Sequence, residues 1–196
     1  MNPTRSNLRQ QLRTLRNGLT VAQRSANDAA IGGNLLELAK TRRAGAIAGY
    51  WPFNGEPDIT AFCRQMMAVG CRLALPVIKG DDACRMDFHA WREDTVLAAN
   101  RYGILEPQNT ELLPVPAFDM LLMPLVGYDR FGNRLGMGAG YYDRCLVSIR
   151  DLESPLRVGV AYSLQETAPV EAAEWDVPLH GIVNEHGWFA FGSRQP

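Results

Sequence analysis

The sequence predicts a layered α/β/α domain with a central, mostly parallel sheet and N-terminal helices packed over it. Three observations predict it. Apolar runs of strand length alternate with stretches of helical period, the order that lays crossover helices on sheet faces. The run Met120 to Val126 (MLLMPLV) is apolar throughout, as suits a strand buried on both faces. No repeat, low-complexity tract or linker divides residues 1–196, so the chain reads as a single domain.

Leu8, Leu12, Leu15 and Leu19 recur at spacings of four, three and four, the apolar stripe of a first helix. Arg5, Arg9, Arg13 and Arg16 follow a neighbouring face at four, four and three. Asn2-Pro3-Thr4 brings capping chemistry ahead of this helix, and Gly18 ends or bends it. Residues 21–42 form a second helix, with Ile31, Leu35, Leu36 and Leu38 on its apolar side. Ala46 to Trp51 is a strand, broken at Pro52 and by the polar turn Asn54-Gly55-Glu56-Pro57. A helix over Asp58 to Val69, capped by Asp58, stops at Gly70. Arg72 to Ile78, Met86 to Trp91 and Met120 to Val126 are strands, and Tyr141 to Ile149 is a helix. Arg157 to Tyr162, His180 to Val183 and Trp188 to Phe191 complete the sheet.

Composition excludes several classes. Apolar residues make up 46% and charged residues 21%, enough to bury a core without staples. The formal net charge of −1 gives no field that would gather nucleic acid or an anionic membrane. No apolar run approaches the roughly 18 residues of a membrane span. Cys63, Cys71, Cys84 and Cys145 form no C-x-x-C pair, and His89, His180 and His186 complete no zinc spacing. Reduced, buried thiols in a cytoplasmic protein are the expectation. The first 24 residues hold five arginines and no acid, a pattern shared with organelle transit peptides. Because it runs directly into further helical sequence, a helix of the mature protein is the favoured reading.

The chemistry concentrates in Gly127 to Arg144 (GYDRFGNRLGMGAGYYDR), between an apolar strand and a helix. Gly136, Gly138 and Gly140 alternate, so the backbone can approach a ligand closely and turn its amides toward phosphate oxygens. The positive end of the following helix would add to that attraction. Arg134 offers a planar guanidinium for phosphate, and Asp143 an oxygen ligand for Mg²⁺. Neither G-x-x-x-x-G-K-[ST] nor G-x-G-x-x-G is present, so the residues alone support an anion site or a flexible surface turn. Tyr141 and Tyr142 read equally as core aromatics.

Gly132-Asn133-Arg134-Leu135-Gly136-Met137-Gly138-Ala139-Gly140-Tyr141-Tyr142-Asp143 resembles the signature of the 5-formyltetrahydrofolate cyclo-ligases, also called methenyltetrahydrofolate synthetases. R-x-x-L-R near the start, Glu-Pro-Asp after the first strand, Gly-Ile-Leu-Glu-Pro at 103–107 and Glu-Trp-Asp-Val-Pro near the end extend the resemblance. It implies ATP binding by Arg5, Arg9, Arg134, Leu135, Gly136, Met137, Gly138, Ala139, Gly140, Tyr141 and Tyr142. Arg5 stands where the family has lysine; Met137 and Ala139 stand where some relatives carry Arg and Lys. Asp143 and Asp176 fall on positions implied to hold Mg²⁺, with Arg134 and Asp143 the implied catalytic pair. Trp51, Glu56 and Tyr102 fall on or near positions implied to meet the folate.

The implied reaction is attack of the formyl oxygen of 5-formyltetrahydrofolate on the γ-phosphate of ATP. Closure by N10 to the methenyl bridge follows, with ADP and phosphate released. A monomer is the expected state. Taken without the resemblance, the arginine stripe reads as a solvated face, Trp51 as core, Glu56 as a turn acid and Asp176 as a local cap. Two rivals share these features: a phosphosugar or acyl-CoA enzyme on a related scaffold, and a folate- or nucleotide-binding protein without turnover.

Overall fold

The computed structural model describes residues 5–80 and 85–192. The Asn2-Pro3-Thr4 cap and Cys84 lie outside the described residues. Helix α1 spans Arg5–Asn17, and α2 spans Val21–Arg42 behind a capping box between Thr20 and Gln23. Strand β1 (Ala46–Ala48), helix α3 (Thr60–Ala68), β2 (Arg72–Ile78) and β3 (Met86–Trp91) follow. Then come β4 (Leu97–Ala99), β5 (Leu105–Pro107), β6 (Leu112–Leu113), β7 (Met120–Pro124), β8 (Gly127–Tyr128) and β9 (Arg134–Leu135). Helix α4 (Tyr141–Leu146) precedes β10 (Leu156–Val160), β11 (Gly181–Asn184) and β12 (Gly187–Ala190).

Eight strands form one sheet in the order β12-β11-β10-β7-β1-β2-β3-β6. From β11 to β2 every neighbouring pair is parallel, while β12, β3 and β6 add antiparallel edges. The alternation along each strand explains the layers. Ile47, Met120, Leu122, Val158 and Val160 face one side, where Ile31, Leu35 and Leu38 of α2 and Phe62 and Met66 of α3 cover them. Ala46, Ala48, Leu121 and Met123 face the other, packed with Phe118, Leu146, Ile149 and Leu179. The chain leaves β1 toward β2 on one side and later places β7 on the other. The strand order therefore reverses between β1 and β7, and in sheets of this kind the crevice for ligands lies above the carboxyl ends of such a pair.

The two N-terminal helices divide the work. Helix α2 lies on a sheet face; α1 crosses the β8/β9 hairpin, where Leu12 packs with Val126 and Leu135. Within its leucine stripe Leu12 is buried, whereas Leu15 is 56% exposed. Arg16, expected on the polar face, is buried instead. Helix α3 begins at Thr60 because Asp58 turns its carboxylate onto the Thr60 amide (2.8 Å) and hydroxyl (2.7 Å). Helix α4 relaxes into a 3-10 turn after Leu146. The strand-to-helix hand-over expected after Val126 contains the hairpin β8/β9, and the β4/β5 hairpin was also unforeseen.

Gly127 is where α1 approaches the hairpin most closely: a Cβ there would lie 2.4 Å from Leu12 Cδ1 and 3.3 Å from the Gln165 carbonyl oxygen. Gly127→Ala overpacks this contact, at a cost of about 1–3 kcal/mol, and should lower the melting temperature by roughly 3–10 °C. Calorimetry checks the shift, and limited proteolysis should show α1 cut faster than in the wild type.

Candidate active site

Four segments converge on the crevice. The β1 exit carries Trp51 and the turn to Glu56; the β7 exit leads into β8/β9 and the glycine loop. Helix α1 supplies arginines, and the β4/β5 hairpin rises from the carboxyl end of β2, where the Ile78 amide donates to Glu106 Oε1 at 2.9 Å.

The arginine stripe faces the glycine loop. Arg9 donates from Nε to the Gly136 carbonyl at 2.8 Å, and a Cβ on Gly138 would stand 3.8 Å from its Cζ. Gly138 (φ 108°) and Gly140 (φ 68°) hold the left-handed backbone that glycine favours. Burial and the neighbouring Arg5 both lower the pKa of Arg9, the mark of two cations held together beside partly dry backbone. Arg5 meets Asp176 at 3.5 Å, and the same Oδ2 accepts from the Ala173 amide at 3.0 Å. Leu135 is buried beneath α1, while Met137 and Ala139 are exposed.

Arg134 does not point outward as a free clamp. It is buried, donating from one guanidinium nitrogen to the Val177 carbonyl and from another to Asp143 Oδ1. That oxygen also accepts from the Val177 amide at 3.1 Å. Desolvation lowers the Arg134 pKa, opposed chiefly by Asp143 and then Asp176, so both implied metal ligands lie near one buried cation. These bonds occupy Oδ1 of Asp143 and Oδ2 of Asp176, so among the described residues the second oxygen of each carboxylate is open to another ligand. Among the described residues no group of three His, Cys, Asp or Glu forms a metal cage. Carboxylate oxygens are the ligand type Mg²⁺ takes, one or two at a time beside waters and substrate phosphates.

Glu56 stands at the other end of the crevice. Its Oε2 accepts from the Phe53 amide at 3.1 Å, and burial pushes its pKa up to about 7 against the opposing pull of Arg16. The turn that carries it is pinned by two arginines outside the implied set. Arg16 donates to the Asn54 carbonyl at 2.6 Å and to the Leu125 carbonyl at 3.3 Å; Arg24 donates to the Gly55 carbonyl at 2.7 Å. Arg24 also reaches Tyr162, whose hydroxyl donates to Asp28 at 2.6 Å. Among the described residues the buried Tyr142 hydroxyl and Arg16 Nε have no hydrogen-bond partner, and both side chains lie in the field of Glu56. Trp51 packs edge-on against Trp91 with centroids 5.8 Å apart. Tyr102, 46% exposed, meets the Tyr141 hydroxyl at 3.2 Å.

The structure thus gathers Arg5, Arg9, Arg134, Asp143 and Asp176 around the glycine loop, and sets Glu56 near Tyr142 beyond it. Sequence reasoning missed Arg16 and Arg24. A signal for Arg16 existed: Arg9, Leu12 and Arg16 are spaced three and four apart, which puts the arginines on the face of a buried leucine.

Fold and strand order define the class: an α/β domain on a mostly parallel sheet with a reversal of strand order, the type in which ligands generally bind above the carboxyl ends of the strands. The chain belongs to the 5-formyltetrahydrofolate cyclo-ligase family, whose model matches residues 1–185. It is 34% identical over 181 residues to the 5-formyltetrahydrofolate cyclo-ligase of Haemophilus influenzae, covering 91% of this chain and 96% of that one. The Escherichia coli K12 enzyme of the same name is 31% identical over 174 residues, covering 88% and 95%. Among solved structures, the 5,10-methenyltetrahydrofolate synthetase of Aquifex aeolicus superposes with a TM-score of 0.83 at 28% identity, covering 98% of this chain and 95% of that one. That of Mycoplasma pneumoniae gives 0.75 at 27% identity, covering 93% and 99%.

The raised Glu56 pKa has a stability consequence. A carboxyl whose folded pKa lies above its unfolded value favours the fold at low pH, and that contribution is lost as pH rises through about 7. Relative to Glu56→Gln, the wild type should therefore lose melting temperature between about pH 5 and about pH 8. Parallel melting profiles for the two proteins would contradict the assignment.

Proposed function

We propose that this chain converts 5-formyltetrahydrofolate to 5,10-methenyltetrahydrofolate, using ATP and Mg²⁺ and releasing ADP and phosphate. The observation that carries the reading is the docking of Arg9 on the glycine loop, beside Arg5–Asp176 and Arg134–Asp143. That grouping suits a polyphosphate and is more than a single phosphate monoester needs.

The formyl oxygen attacks the γ-phosphorus and ADP departs, leaving the carbon activated as a phosphorylated formyl group. N10 then adds to that carbon and loses its proton, and phosphate leaves with the former formyl oxygen. Positioning and charge carry such chemistry, without a covalent link to the protein. Arg5 and Arg9 supply positive charge from α1, and the Gly136–Gly140 amides and the flanking Leu135, Met137, Ala139, Tyr141 and Tyr142 line the loop. Helix α4 is only six residues long, so its dipole adds little beside the amides and arginines.

Asp143 and Asp176 would hold Mg²⁺, which when bound neutralises charge between phosphate oxygens. Arg134 takes a positioning role: it fixes the Asp143 carboxylate instead of gripping phosphate from the open side. Glu56 near neutrality can exchange hydrogen bonds with the N–H edge of a pterin, with Trp51 and Tyr102 flanking. We place the reaction in the cytoplasm, consistent with Cys63, Cys71 and Cys145 being free thiols, and in a monomer.

Absorbance in the methenyl product band, followed with 5-formyltetrahydrofolate, should rise only with both ATP and Mg²⁺ present. Product formed without ATP would refute the reading. Asp176→Asn should raise the Mg²⁺ concentration for half-maximal rate by about tenfold with little change in melting temperature, because its Arg5 pair is exposed. An unchanged metal titration removes Asp176 from the site.

A further inference from the structure

At the outer rim of the crevice, Arg101 is built into place. It sits in the turn between β4 and β5, and that turn is rigid: Asn100 Oδ1 accepts from the Tyr102 amide at 2.8 Å and the Ile104 amide at 3.1 Å. Asn100 Nδ2 donates at 2.6 Å to Glu106 Oε1, the oxygen that also holds the Ile78 amide at the end of β2. The turn is thereby tied to the sheet. Above it the Arg101 guanidinium lies over the Tyr102 ring, 5.0 Å from the centroid, and donates to the Tyr141 hydroxyl at 3.1 Å. Among the described residues no carboxylate pairs with it. An exposed cation held on two aromatic side chains has lost much of its rotamer freedom before any ligand arrives, which lowers the cost of binding one.

Its position selects the ligand. Tyr142 turns its hydroxyl inward, in the field of Glu56, while the adjacent Tyr141 turns outward to Tyr102 and Arg101. A folate whose pterin reaches Glu56 must extend its benzoylglutamate arm away from that buried end. The rim at Tyr141 and Tyr102 offers an aromatic wall for the benzoyl ring and then a guanidinium for carboxylate. The phosphate-facing arginines, Arg5 and Arg9, come from α1, on the Gly136–Gly138 side of the loop. Arg101 arrives from a different element at Tyr141.

We propose that Arg101, braced by Tyr102 and Tyr141, is the subsite for the glutamate carboxylate of the folate substrate, and so sets the preference for glutamylated over tail-less substrates. This rests on the functional reading above.

The test compares the wild type with Arg101→Ala on two substrates, 5-formyltetrahydrofolate and 5-formyltetrahydropteroate, which lacks the glutamate. The variant should raise KM for the glutamylated substrate about tenfold, the worth of one charge-assisted contact, and leave KM for the pteroate unchanged. Neither kcat nor KM for ATP should move by more than about twofold, and Arg101→Lys should recover part of the loss. An equal rise on both substrates, or a rise confined to ATP, overturns the subsite. If the wild type turns over neither substrate, the functional reading fails separately, and calorimetry with 5-formyltetrahydrofolate then decides. A Kd weakened about tenfold by Arg101→Ala sustains the carboxylate site, whereas equal affinity, or no binding by the wild type, overturns it.

Discussion

The crevice depends on one buried guanidinium. Arg16 reaches from α1 to the Leu125 carbonyl at the exit of β7 and to the Asn54 carbonyl in the turn after β1. It therefore bridges the two strands between which the sheet order reverses. Taking a charge out of water is costly, and burial lowers its pKa accordingly; two carbonyl acceptors and the nearby Glu56 offset that cost. Arg16 can reach so far only because Gly127 lets Leu12 settle directly onto the hairpin. The same docking brings Arg9 and Arg5, about two and three turns before Arg16 on α1, to the glycine loop and to Asp176.

A second buried cation organises the opposite wall. Arg134 joins the hairpin β8/β9 to the Val177 segment and to Asp143 in α4, so three distant stretches share one guanidinium. The value of such a pair lies in placement more than in net stability, because desolvation of both ions cancels much of their attraction. Here it fixes the orientation of a carboxylate whose second oxygen stays available. The crevice thus has a rigid acidic corner near the loop and a carboxyl held near neutrality at the far end.

Much of this was legible in the residues. The boundaries of α2, β2 and β3 follow directly from period, capping chemistry and alternation. The glycine loop and the arginine stripe were visible as chemistry, though the residues alone could not say that they meet, since Arg9 and Gly136 are joined only by the fold. Arg134 and Arg16 show what a side-chain inventory misses. An arginine beside glycines reads as a ligand clamp, and one on a charged stripe as solvated, yet both are buried because backbone carbonyls from far along the chain converge on them. The hairpins were missed for another reason: β8 and β9 are two residues each, too short to display alternation. Tyr102 was placed by resemblance; that it touches Tyr141 is a property of the β4/β5 turn.

The pairing of the first helix with the last quarter of the chain has a consequence for biosynthesis. Arg5 and Asp176 are 171 positions apart. During vectorial translation α1 leaves the ribosome early, but its acidic partner emerges only when nearly all of the polypeptide has been made. Until then Arg5 has no Asp176 carboxylate to meet. A nascent chain stalled before Asp176 would lack that acidic partner of α1, making the Arg5–Asp176 contact one of the last to form in maturation.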